Sequence, residues 1–325
     1  MTAPAGKWEG IRAGAAVRLH QGDGTCYTCF NGRSIDLMTE QGHGRRSPGG
    51  EGCPPRPPGN GGGATRITYV GHSTVLIDID GVRILTDPLF RRRVGGFLRR
   101  IPPVPPPATR RNIDAVLISH LHFDHLDLPS LDILDHDTRL IVPHGADRML
   151  RRKGFTHAEE LRRHETLSIR GVTVQAIPAV HSDFRWPFGP VARSIGFLLC
   201  GSRKIYFAGD TDIFQDMEAL HHRLDTAILP VWGWGPWLGH GHLTPARAAI
   251  ALRLLRPRRA IPIHWGTYCP VGLCLRTPRF ITSPPREFAR ISAGMAPDVR
   301  IDVLQPGETA LLSAVSGGDQ ARERP

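Results

Sequence analysis

No apolar run in the 325 residues approaches the ~18–20 that a membrane helix needs, which excludes a chain built on transmembrane helices. The opening segment, MTAPAGKWEGIRAGAAVRLHQG, has no continuous apolar stretch of the kind a secretory signal requires, so a cytoplasmic protein is expected. Cysteine is sparse and scattered, at Cys26, Cys29, Cys53, Cys200, Cys269 and Cys274, and no disulfide framework is legible. Cys26 and Cys29 have CxxC spacing, but without a second CxxC or a βαβ context the pair reads as incidental. Acidic residues are few: 30 Asp and Glu against 41 Lys and Arg, mostly arginine, leave a net charge of +11. That balance suits an anionic partner, or equally the arginine usage of a GC-rich genome. There is no basic arm interleaved with aromatics and no RNA-binding module, so no specific nucleic-acid contact is expected.

Residues 1–64 lack sustained periodicity and close in Pro54-Pro55, Pro57-Pro58 and Gly59-Asn60-Gly61-Gly62-Gly63. Such a composition buries too little apolar surface to offset ordering entropy. The segment reads as a disordered tail, or as translated upstream sequence ahead of a protein starting near Ala64. From Arg66 the texture changes. Strand-like runs recur at 67–70, 74–79, 82–86, 115–118, 140–142, 172–177, 194–199, 204–208, 226–229 and 260–263, with a last one near 299–304. Helical patterns lie near 146–153 and 245–255, the second opening on Thr244-Pro245, an N-cap and a first-turn proline. An Arg- and Pro-rich loop is expected over 89–111. The whole predicts one α/β domain over 65–313, with a frayed tail over 314–325.

Within that domain, Ser119-His120-Leu121-His122-Phe123-Asp124-His125 follows the apolar run Ala115-Val116-Leu117-Ile118. Three imidazoles and a carboxylate in six residues, delivered by one strand end, have the donor types of a zinc, manganese or iron(II) site. Three more polar residues share that context. His181 follows Ala176-Ile177-Pro178-Ala179-Val180, Asp210 follows Ile205-Tyr206-Phe207-Ala208-Gly209, and His264 follows Ala260-Ile261-Pro262-Ile263. Side chains at strand ends are rigidly presented to a shared cleft.

These residues resemble the seven-ligand dinuclear set of the metallo-β-lactamase superfamily, over about residues 66–310. Gly71-His72-Ser73-Thr74, Thr86-Asp87-Pro88-Leu89-Phe90, Phe207-Ala208-Gly209-Asp210-Thr211 and Ile263-His264-Trp265-Gly266-Thr267-Tyr268 resemble two branches, the N-acyl-phosphatidylethanolamine-hydrolysing phospholipase D and the ascorbate-6-phosphate lactonase. The resemblance implies a four-layer αββα sandwich with two divalent ions at one edge of its sheets. Zinc is the first choice, and manganese or iron is also compatible. His120, His122 and His181 would hold one ion, Asp124, His125 and His264 the other, and Asp210 would bridge them. Asp87 would orient ligand imidazoles by accepting their other N–H. The missing cysteine ligand departs from the antibiotic-cleaving pattern, and histidine at 122 departs from the diiron redox branch.

Asp124 is further expected to orient the attacking water. His242, just before a helix, matches an active-site histidine of the phospholipase branch; it reads as a substrate contact or proton donor, or else as a surface histidine flanking the helix. The loop Trp232-Gly233-Trp234-Gly235-Pro236-Trp237 is suited to wall a substrate pocket, or to pack in the core or at a dimer contact. Tyr268 joins Trp232 and Trp234 as a candidate substrate residue. Arg91, Arg92 and Arg93 could grip a phosphate bidentately or form a solvated basic surface. The expectation is a hydrolase of a phosphodiester, N-acyl phospholipid-like, or of a related ester. The substrate would be an anionic small molecule or lipid, with possible peripheral membrane contact. A sugar-phosphate-like lactonase, a nuclease, and a metal-binding scaffold or sensor without turnover are the alternatives. The oligomeric state is not legible.

Overall fold

A computed structural model of the chain describes residues 64–185, 189–222, 224–274 and 278–312, together with short strands between residues 20 and 34. Those strands, His20–Gly22 paired with Thr25–Tyr27 and Cys29–Phe30 paired with Arg33–Ser34, fall in a separate unit, Met1–Gly50. The rest of the tail expected over 1–64, and that over 314–325, lie outside the described residues.

In the second unit the strands are β1 (Thr65–Gly71), β2 (Thr74–Ile79), β3 (Val82–Thr86), β4 (Ala115–Leu117), β5 (Arg139–Pro143), β6 (Ala158–Leu161) and β7 (Thr166–Ile169). They continue as β8 (Val172–Pro178), β9 (Ile195–Cys200), β10 (Lys204–Phe207), β11 (Thr226–Pro230), β12 (Arg259–Ile263), β13 (Arg300–Ile301) and β14 (Thr309–Leu312). Two seven-stranded sheets result, in the orders β6-β5-β4-β3-β2-β1-β14 and β7-β8-β9-β10-β11-β12-β13.

The side-chain alternation of a strand explains the layering. In β2, Val75, Ile77 and Ile79 enter a core shared with Val174, Phe197 and Phe207 of the second sheet, whereas Leu76 joins a separate cluster. The same alternation sends Ala115 and Leu117 one way and Val116 and Ile118 the other. Both faces of the first sheet are therefore buried, at roughly 1.5–3 kcal/mol for each fully buried large aliphatic side chain. Short helices at Leu128–Leu131 and Asp147–Arg152 contribute Leu131 and Leu150 to the cluster on its far side. Helices α1 (Pro245–Leu255) and α2 (Pro284–Met295) pack on each other and on strands β11 and β12 of the second sheet. This is the expected αββα sandwich. None of the described helices is long and apolar enough to cross a membrane.

The Thr244 side chain accepts the Arg247 N–H at 3.3 Å and Pro245 takes the first turn, so α1 starts where its sequence signal lies. Helix α2 opens on Pro284-Pro285, which reads as a breaker although the first helical turn needs no proline N–H. Strands β6, β7 and β14 also carry little sequence signal, β7 and β14 being half exposed.

Two further expectations are corrected. The 89–111 segment is not all loop: Arg93–Val94 and Leu98–Arg100 form a three-stranded antiparallel sheet with Tyr268–Pro270. And Cys269 and Cys274, 6.1 Å apart at Cα, are joined by a disulfide that clips the turn after that sheet.

Candidate metal centre

Strands β8, β10 and β12 run the same way in the second sheet, so their C-terminal ends share one edge, and the segment after the β4 end of the first sheet meets them there, the Ile195 N–H donating to the Ser119 carbonyl at 3.0 Å. His120, His181, Asp210 and His264 each follow one of those ends. The approach is close. Gly209, with φ +60°, passes so near Ser119 that a Cβ there would sit 2.5 Å from the serine Cβ.

Each imidazole is held from behind by one nitrogen while the other points inward. His125 Nδ1 lies 2.8 Å from Asp87 Oδ2, His181 Nδ1 2.9 Å from the Gly241 carbonyl, and His264 Nδ1 2.8 Å from the Trp232 carbonyl. His122 uses Nε2, 3.1 Å from the Phe184 carbonyl, leaving Nδ1 inward. His120 Nδ1 rests 3.0 Å from Ser119 Oγ, which itself donates to Asp87 Oδ2 at 2.6 Å. Asp87, fully buried, also accepts the Ser119 N–H at 2.7 Å, so one carboxylate fixes His125 directly and His120 through Ser119.

The inward atoms converge. His122 Nδ1 and His181 Nε2 are 3.0 Å apart, and His125 Nε2 and His264 Nε2 are 3.1 Å apart. Asp210 touches the second pair, with Oδ2 3.2 Å from His125 Nε2 and Oδ1 3.2 Å from His264 Nε2, and its carboxylate also clusters with His120 and with His181 of the first group. His120, His122 and His181 form one group whose donor atoms lie within 4.8 Å of one another, Asp124, His125 and His264 belong to a second, and His120, His125 and Asp210 link them. Buried His120 Nε2 and Asp210 Oδ1 have no hydrogen-bond partner. Buried polar atoms are almost always satisfied, so inward lone pairs without donors are what a cation would complete. The donor set fits divalent metal.

The electrostatics agree. Burial holds His120 and His264 well below the ordinary imidazole value, lowers His122, and brings His181 down to about 4, which leaves their lone pairs free for a metal near neutrality. Burial alone would raise Asp124 and Asp210. For Asp124 the charges of His125 and His72 outweigh it, for Asp210 those of His264 and His125, and both carboxylates fall below their usual range. Burial lowers His125, but Asp210 and Asp124 more than reverse that and push it well above its ordinary value.

Two residues stand close around this core. His242 Nε2 lies 3.3 Å from Asp210 Oδ2 and its ring is 4.6 Å from that of His181, so it belongs to the cleft rather than to the bulk surface. His72 was not among the expected site residues. It is buried in the β1–β2 turn with φ +58°, its Nε2 is 3.0 Å from Asp124 Oδ2, its ring lies 3.9 Å from that of His264, and its carbonyl accepts the His264 N–H at 2.8 Å. Its signal was a histidine directly after a left-handed Gly71, inside a hairpin turn where polar residues are ordinary.

A profile of the β-lactamase superfamily domain matches residues 82–265, more than half of the chain. The chain belongs to the β-lactamase superfamily. A UPF0173 metal-dependent hydrolase of Methanopyrus kandleri is 29% identical over 75% of this chain and 98% of its own length. Another, of Pyrobaculum arsenaticum, is 30% identical over 76% of this chain and 100% of its own. N-acyl-phosphatidylethanolamine-hydrolyzing phospholipase D 1 of Caenorhabditis elegans is 31% identical over 63% of this chain and 64% of its own. Among solved structures, the metallo hydrolase Igni18 of Ignicoccus hospitalis shares the fold with a TM-score of 0.59 at 23% identity, over 77% of this chain and 99% of that one. Superfamily membership and these relatives identify a metal-dependent hydrolase.

The expected substrate residues divide. Trp234 reaches the cluster, its Nε1–H donating to Asp124 Oδ2 at 3.1 Å. Trp232 is tied back, Nε1–H donating to the Gly235 carbonyl at 2.9 Å, and it serves the site through the carbonyl that holds His264. Tyr268 is 1% exposed, and its hydroxyl donates to the Arg91 carbonyl at 2.7 Å. The fork of Arg91 is engaged by Asp127, at 2.9 and 2.7 Å. Arg92 and Arg93 are exposed, and no hydrogen bond or ion pair joins their side chains to the cluster among the described residues.

Proposed function

We propose that the chain hydrolyses a phosphodiester, or a related ester of an anionic amphiphile, at a two-ion centre. His120, His122 and His181 would hold one ion and Asp124, His125 and His264 the second, with Asp210 between them. The observation that carries this reading is the Asp210 carboxylate reaching both groups of inward-facing imidazoles, with Oδ1 lacking a hydrogen-bond donor. Bound divalent ions, with zinc the first candidate, supply Lewis-acid activation of water and of the ester oxygen.

The protein's own residues do the positioning. Trp234 and His72 both lie against Asp124 Oδ2 and fix the face that this carboxylate turns to the cleft. His242, braced at Nδ1 by the Gly239 carbonyl at 3.1 Å, has its Nε2 at the cleft and donates a proton from there to the departing alkoxide. The aromatic rings of Trp234, Phe97 and Phe123 meet edge-on at 5.4–5.5 Å beside the cluster and give an apolar flank for an acyl or ring group.

The test is a panel of a p-nitrophenyl phosphodiester, an alkyl phosphodiester, an N-acyl phospholipid and a sugar-phosphate lactone. Diester turnover is expected. His242→Gln should slow the alkyl ester, whose leaving group needs the proton, by about 10²–10⁴-fold and the p-nitrophenyl ester far less. Equal slowing of both would remove His242 from proton donation, and turnover of the lactone alone would move the reading to a lactonase.

A further inference from the structure

The small sheet of Arg93–Val94, Leu98–Arg100 and Tyr268–Pro270 has an unusual outer face. Its register sets Arg93 opposite Arg99, and Pro270 opposite Leu98. One residue further, the Val271 N–H donates to the Phe97 carbonyl at 2.8 Å, so the ladder continues past the strand ends. Side chains alternate along a strand, and Val94, Leu98, Arg100 and Tyr268 are buried on one face, while Cys269, opposite Arg99, is buried on the other. Arg93, Phe97, Arg99 and Val271 therefore share the other face. Phe97 is 42% and Val271 48% exposed, and Leu273 in the following turn is 52% exposed.

Two features of that face call for a partner. Like charges placed directly across a strand pair repel, and neither Arg93 nor Arg99 has an ion pair among the described residues. Large apolar side chains are also concentrated at its tip, where a solvated face is ordinarily polar. The Cys269–Cys274 disulfide clips the turn that carries Val271 and Leu273, so that tip is presented as a fixed shape. The face also adjoins the metal cluster: the Phe97 ring lies 5.5 Å from that of Trp234, which donates to Asp124.

We infer that this face docks the protein on an anionic lipid bilayer, with Phe97, Val271 and Leu273 entering the interface and Arg93 and Arg99 meeting lipid phosphates. Charge complementarity selects the occupant, since paired arginines beside apolar side chains match a surface that is anionic outside and apolar beneath. Docking there would bring lipid esters to the aromatic flank of the cleft. That consequence rests on the ester-hydrolase reading, whereas the docking itself does not.

Co-sedimentation of the full chain with phosphatidylcholine vesicles, with and without phosphatidylglycerol, tests it, alongside turnover of a soluble p-nitrophenyl diester. Binding is expected on the anionic vesicles only and should fall with added salt. Arg99→Glu should weaken it roughly thirtyfold, two charge units at the surface. Val271→Ser with Leu273→Ser should abolish it, and all variants should keep soluble turnover, which reports that they are folded. Equal binding to neutral vesicles, or unchanged binding by both variants, would overturn the proposal. So would a dimer in sedimentation velocity that the Val271 and Leu273 substitutions dissociate, since the face would then belong to a second copy. Absence of soluble turnover with vesicle binding intact would count against the hydrolase reading alone.

Discussion

Asp87 and His72 govern the cluster without belonging to the set of seven. Asp87 restrains two imidazoles that would serve different ions, His125 directly and His120 through Ser119. His72 restrains Asp124 and covers His264, both on one side of the cluster. The two should therefore fail differently. Asp87→Asn should weaken retention of both ions by about 10–100-fold, because an outer partner of each group is damaged. His72→Phe keeps a ring over His264 but loses the N–H, and should weaken retention of one ion only, with His72→Gln restoring it. Competition against a chromogenic chelator reads both, and two equally weakened ions in His72→Phe would refute the division. His72, Asp87 and His264 have φ of +58°, +35° and +63°, the region non-glycine residues avoid, so the site carries backbone strain at three positions.

Among the elements, the strand ends were legible and the turns were not. The HxHxDH run was readable because it is contiguous and follows four apolar residues, and His181, Asp210 and His264 because each ends an apolar run. His72 gave no such signal, because a polar residue in a hairpin turn is ordinary and its partners are 52 and 192 positions away in sequence. The local partners of Arg91 and Tyr268 were hidden for a related reason: composition shows a basic or aromatic residue but not the Asp127 or the backbone carbonyl that engages it. Helix α2 was hidden by its opening prolines.

The helix at Asp147–Arg152 offers a test at this scale. Glu160 accepts the Gly145 and Asp147 N–H groups at 2.9 and 2.8 Å and meets His144 Nδ1 at 2.7 Å, capping the helix start from β6. Partial burial raises this carboxyl, but the Asp147 N–H, His144 and the Gly145 N–H outweigh it and hold Glu160 below its ordinary 4.5. A depressed carboxylate pKa adds stability above the unfolded value and loses it as pH falls through the folded one. Glu160→Gln should thus cost about 1–2 kcal/mol at pH 7. In denaturant melts the difference from the unaltered protein should shrink below about pH 4. A difference independent of pH would show that the carboxylate charge is not involved.

At the scale of the molecule, the sandwich brings three distant strand ends to the histidine run, and helices α1 and α2 stiffen the second sheet from outside. The α/β class followed from the spacing of apolar, strand-like runs, and the four-layer sandwich from the family resemblance carried by the residues at the strand ends. The cleft's chemistry was legible for the same reason, whereas its substrate depends on loops whose side chains are claimed by local partners. Across that cleft, Asp210 would join two ions into one hydrolytic centre. Native mass spectrometry of the purified chain with diester turnover on the same sample tests it most directly. Two divalent ions per chain are predicted, with turnover lost on their removal and regained on their return, and Asp210→Asn holding at most one ion without turnover. Two ions bound with no ester hydrolysed, or undiminished turnover in the stripped protein, would contradict the account.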